Sequence, residues 1–154
     1  AGIVFGILRE DNTVDVQRTS KLVKLASPLE VTFHRAFDQA PNLWRALEDV
    51  IACGCHRILS SGAKSSAGEG ESTLATLVEQ ARGRIRITAG GGITVKIAAS
   101  LLSRARVDLH TSLRRRLAAD TNGDLDPMPG SGASGLELQT SDVRALASII
   151  ASIG

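Results

Sequence analysis

Residues 85–94 read IRITAGGGIT, and this stretch decides the fold. A β-branched run, Ile85 to Thr88, climbs into three consecutive glycines, and Thr94 then stands as an N-cap for the apolar-periodic segment Val95 to Leu102. The order is strand, glycine loop, helix. Three glycines turn the backbone sharply and offer successive N–H groups beside a helix N-terminus, where an anion can approach without meeting a Cβ. The same three residues also serve a plain tight turn. No G-x-G-x-x-G or G-x-x-x-x-G-K-[ST] pattern is present, so dinucleotide and P-loop readings gain no support.

Working outward, the same alternation recurs on both sides. Upstream lie a helix with Leu74, Leu77, Val78 and Ala81 on one side, closed by Gly83, then a small-residue loop, Gly62 to Glu71, and the strand Arg57 to Ser61. Before these come a helix opened by Pro41, carrying Leu43, Leu47, Val50 and Ile51 and ended by Gly54, and the strand Glu30 to His34. The chain begins with the strand Ile3 to Ile7 and a helix capped by Asp15, with Val16, Leu22, Val23 and Ala26 near one face, ending before Pro28. Downstream are the strand Val107 to Thr111, then Leu113 and three arginines. Residues 117–135 are rich in Gly, Pro, Asp and Ser and read as a long disordered loop, and Thr140 or Ser141 starts a last helix with Val143, Leu146, Ala147 and Ile150.

Strand starts near residues 3, 30, 57, 85 and 107 fall close to one period. Continuous apolar strands with crossover helices imply parallel pairing with both faces covered, an α/β class in one domain over residues 1–154. The choice lies between an open doubly wound sheet and part of a (β/α)₈ barrel; a full barrel needs ~250 residues and eight units, so five units make a partial TIM barrel. Two edge strands, Ile3 to Ile7 and Val107 to Thr111, are left over. The expectation is a homo-oligomer, or pairing of those edges with a missing N-terminal segment.

The net charge of +2 is small, and three phenylalanines and one tryptophan leave little to stack bases, which argues against nucleic acid as a partner. No apolar run approaches the ~20 residues of a membrane span, so a membrane partner is not expected. The first residue is Ala1 rather than Met. Cys53 and Cys55, separated by one glycine, do not form the framework of a secreted disulfide protein, and a reducing cytoplasm is the expected setting.

In α/β architectures chemistry gathers at the C-terminal ends of strands. There fall Glu10 and Asp11, then His34, Arg35 and Asp38, then Ser60, Ser61 and Gly62, then Gly90, Gly91 and Gly92, then His110, Ser112 and Arg114. Such a rim suits a small anionic ligand, with His34 and His110 available for proton transfer or metal binding. Each has a structural alternative: a hydrogen-bonded histidine, an Arg35 salt bridge to Asp38 or Glu10, serines that satisfy a turn. Arg115 and Arg116 read as a solvated patch. Cys53, Cys55 and His56 lie at the opposite pole, where the thiols are either inert or a two-thiolate site for a soft ion such as Cu(I).

VTFHRAFD at Val31–Asp38, LSSGAKSSAGEG at Leu59–Gly70, GGGIT at Gly90–Thr94 and HTSLR at His110–Arg114 together resemble the CutC family of copper homeostasis proteins, in order over most of the chain. The resemblance implies a cytoplasmic (β/α)₈ barrel associated with copper tolerance or copper binding. It also implies about three further βα units at the N-terminus, which hold the cysteines proposed as copper ligands in some relatives. Cys53 and Cys55 do not match the family pattern. Ala89 stands where a proline often precedes the glycines, and Leu113 replaces a small residue. Three functions follow as expectations: a CutC-like protein with an anion-binding rim of His34, Arg35, Asp38, Ser61, Gly91, Gly92, His110 and Arg114; a barrel enzyme acting on a phosphorylated or carboxylated metabolite by general acid–base chemistry; and a copper module at Cys53 and Cys55.

Overall fold

The computed structural model describes residues 1–112, 114–116, 136–138 and 140–153. The expected loop over 117–135 lies outside them, as does Leu113. The chain divides into two compact units, Ala1–Thr111 and Ser112–Gly154.

The first unit alternates strands and helices as the repeat predicts. Its strands are β1 (Gly2–Phe5), β2 (Glu30–Phe33), β3 (Arg57–Ser60), β4 (Arg86–Gly90) and β5 (Asp108–His110). Its α-helices are α1 (Val16–Ala26), α2 (Leu43–Ala52), α3 (Glu71–Ala81) and α4 (Val95–Arg104). The sheet is wholly parallel, in the order β1-β2-β3-β4-β5. A doubly wound sheet reverses its strand order part-way. With right-handed crossovers and no reversal, every helix falls on the same side, which is the arrangement of a barrel wall. The partial TIM-barrel reading therefore holds, with β1 and β5 at the edges.

The burial pattern places the helices on one face of the sheet only. Val31, Phe33, Ile58, Ser60, Ile87 and Ala89 are buried on one face with Leu47, Val50, Leu74, Leu77 and Leu101 of the helices. Alternate residues point the other way. They begin with a charged row: Glu30 pairs with Arg86 at 2.6 Å and Arg57 at 3.5 Å, and Arg57 pairs with Asp108 at 3.2 Å. On this open face the register sets Thr32 level with Arg57 and Arg86, continues with Gly6, His34, Leu59, Thr88 and Asp108 in the next line, and ends with Gly90 beside His110.

Local differences have local causes. Asn42, not Pro41, sets the start of α2, because its Oδ1 accepts the Arg45 N–H at 3.0 Å. In α1 the buried position is Thr19, whereas Leu22 is 38 % exposed and Leu25 72 %. Asp15 caps α1 as expected, its Oδ1 accepting from the Arg18 N–H.

The second unit holds a two-stranded antiparallel sheet, β6 (Arg114–Arg116) with β7 (Leu136–Leu138), and the last helix, α5 (Thr140–Ile153). The arginine run Arg114–Arg116 is thus a strand. α5 begins at the expected threonine. No helix among the described residues is long and apolar enough to cross a membrane.

Candidate functional site: the rim at the strand C-termini

Beyond Phe33 the chain does not enter a loop. His34 is the N-cap of a short 3₁₀ helix, Arg35–Gln39, its Nδ1 accepting the Ala36 N–H at 3.1 Å. That bond assigns the neutral ring's proton to Nε2 and fixes the ring. The approach is close: a Cβ on Gly6, opposite His34 in register, would lie 2.7 Å from Nδ1, so only glycine fits there.

One helical turn later sits the organising group. Asp38, whose side chain is 9 % exposed, accepts from Arg35 Nε at 2.9 Å, Ser60 Oγ at 2.6 Å, the Ser61 N–H at 3.0 Å and the Ala63 N–H at 3.1 Å. Burial alone would raise its pKa. The hydrogen bonds from Ser60, Ser61, Arg35 and Ala63 outweigh it and hold the carboxyl below its ordinary value of 3.8. A carboxylate so occupied is poorly suited to act as a general base. It positions the 3₁₀ helix against the loop after β3.

Arg35 is positioned in turn. Its Nε goes to Asp38, and its Nη2 donates to Ser61 Oγ at 2.7 Å and to the Lys64 carbonyl at 3.4 Å. The Ser61 hydroxyl shares its proton between the Lys64 carbonyl at 2.6 Å and Asp38 Oδ2 at 3.0 Å. This leaves Nη1, which meets no acceptor among the described residues and lies 3.0 Å from where a Cβ of Gly91 would stand. Gly91 has φ +105° and Gly92 +64°, both in the region that favours glycine. The Gly91 carbonyl accepts the Ala67 N–H at 2.9 Å, tying the serine loop to the glycine loop. Thr94 Oγ1 accepts from the Ile97 N–H at 3.3 Å, so α4 starts where the sequence placed it. The N-terminus of a ten-residue helix, two positive-φ glycines and one free guanidinium edge therefore converge.

Arg35, Asp38, Ser61, Gly91 and Gly92 thus come together. His110 pairs with Gly90 in register and is exposed, and Thr111 Oγ1 donates to the Ile93 carbonyl at 2.9 Å, joining β5 to the glycine loop. His34 follows directly on β2 and His110 ends β5, strands three inter-strand steps apart, roughly 14 Å across the sheet. They do not form one imidazole pair. Arg114 lies in β6 of the second unit, and its side chain is outside the described residues. Asp11 is engaged locally by Thr13, through its N–H at 2.9 Å and its hydroxyl at 2.6 Å. The sequence reading missed the Ala63 N–H and the Lys64 carbonyl, because main-chain groups leave no mark on residue type.

The opposite pole fits copper poorly. Cys53 and Cys55 are 5 % and 6 % exposed; burial raises both thiols, Cys55 to about 12, with Cys53 adding to it. Copper(I) takes thiolates, the form that burial disfavours at both cysteines. His56 spends Nδ1 on the Val31 N–H at 3.1 Å. Among the described residues no three His, Cys, Asp or Glu side chains are grouped to hold a metal ion.

The CutC family profile matches residues 1–115. The chain is 45 % identical over 152 residues to a CutC family protein of Chromobacterium violaceum, an alignment that covers 94 % of this chain and 61 % of that one. To a CutC family protein of Treponema denticola it is 40 % identical over 125 residues, covering 80 % and 51 %. The crystal structure of CutC from Streptococcus agalactiae, a protein named for copper homeostasis, superposes with a TM-score of 0.64 at 30 % identity, covering 69 % of this chain and 52 % of that one. The chain spans between half and about three fifths of the length of these relatives.

Proposed function

This chain belongs to the CutC family, and from that premise we propose that it serves copper homeostasis in the cytoplasm through a small phosphate- or carboxylate-bearing ligand bound at its rim. One observation carries the reading: Arg35 has its Nε and Nη2 consumed by Asp38, Ser61 and Lys64, while Nη1 is left beside Gly91 at the mouth of α4. A cation locked by its own neighbours loses little freedom when it meets an anion. Inorganic phosphate titrated calorimetrically into the chain should bind, and Arg35→Ala should weaken it about tenfold or more, the worth of one charge-assisted contact. Equal affinity in the two proteins would remove the reading.

A second reading, an enzyme working on such a ligand by general acid–base chemistry, is favoured by the fixed ring of His34, whose Nε2 is left free by the cap. The copper role does not run through the cysteines. Titration with Cu(I) under reducing conditions is expected to give the same weak affinity for the wild type and for Cys53→Ser with Cys55→Ser. A large loss in the double variant would restore the cysteine site.

A further inference from the structure

The open face of the sheet holds one side chain that the rim does not explain. Thr88, in the middle of β4, is 6 % exposed, and its Oγ1 is buried with no hydrogen-bond partner among the described residues. Buried hydroxyls are nearly always paired, and valine would fill the same volume without the cost. By strand alternation and register, Thr88 lies on the face that carries Gly90 and His110, two residues below Gly90, or roughly 7 Å. Leu59 Cδ1 lies against Gly90, 2.6 Å from where its Cβ would be, so reaching the hydroxyl from the rim requires a turn of the Leu59 side chain.

We propose that the molecule bound at the rim is a phosphorylated sugar or polyol, its phosphate on Arg35 and the glycine loop and a hydroxyl on Thr88 Oγ1. This rests on the anion reading given above. The two points are separated by the span of a short sugar chain, and Asp108, opposite Thr88 in register, and His110, opposite Gly90, flank them with polar groups. Threonine can both donate to and accept from such a group.

The test is calorimetric titration of the 154-residue chain with inorganic phosphate and with ribose 5-phosphate. Ribose 5-phosphate is expected to bind at least about fivefold tighter, the worth of one added hydrogen bond. Thr88→Val should abolish that advantage while leaving phosphate affinity unchanged, and Thr88→Ser should retain it. The Leu59 methyl resonances should shift with ribose 5-phosphate and not with phosphate. Phosphate binding without a sugar advantage, or an advantage that survives in Thr88→Val, overturns the proposal and leaves the anion site standing. No phosphate binding by the wild type overturns both.

Discussion

Asp38→Asn is expected to destabilise the first unit by about 1–3 kcal/mol, the cost of replacing a half-buried, multiply bonded carboxylate with a group that turns an NH₂ toward its donors. Five donor groups of Arg35, Ser60, Ser61 and Ala63 converge on this side chain. One asparagine oxygen cannot accept them all. Its pKa lies below 3.8 when folded, so its contribution is complete above about pH 4 and is lost as pH falls through the lowered value. Urea unfolding of both proteins from pH 7 to pH 2 checks this: the gap should be widest at neutral pH and narrow in acid. A gap that is constant with pH would mean that the charge contributes nothing. Phosphate affinity should fall as well, because Arg35 loses its orienting partner.

Gly91→Val should be more damaging to binding than to folding. At φ +105° a β-branched residue carries a backbone strain of about 1–3 kcal/mol. Its Cβ would press on Arg35 Nη1 at 3.0 Å, displacing the guanidinium edge on which the anion is expected to rest. Loss of phosphate affinity beyond about tenfold is expected in a protein that still folds, checked by calorimetry beside a thermal melt. Wild-type affinity in the folded variant would show that the loop does not touch the ligand.

Which of these features the sequence disclosed depends on their range. The strand and helix alternation is local: apolar runs, Asp15, Thr94 and Gly54 each act within a turn of themselves, and all appear where the pattern put them. The turn of Arg35–Gln39 was not legible, since it depends on the His34 ring accepting the Ala36 N–H, an alternative to a loop that residue types do not favour. The role of Asp38 was half legible. Its pairing with Arg35 three residues away is local, but Ser60, Ser61 and Ala63 reach it only because β2 and β3 lie side by side. Which face of the sheet the helices cover could not be read from apolar content, because the charged residues Arg57 and Arg86 stand at strand starts and resemble loop residues until the folded sheet brings them within reach of Glu30 and Asp108. Thr88 hides in a β-branched run, where threonine is an ordinary strand former.

That charged row fixes how the strands may slide. Moving any one of β2, β3 or β4 by a single residue against its neighbours would send Glu30, Arg57 or Arg86 in among the helices and bring Val31, Phe33, Ile58 or Ile87 out to water. Each wrong alignment buries an unpaired charge and exposes core at the same time, so shifted pairings are penalised twice. The ion pairs themselves are half-exposed and add little stability. Their worth lies in what they forbid: single-residue slips between the strands that carry the rim loops.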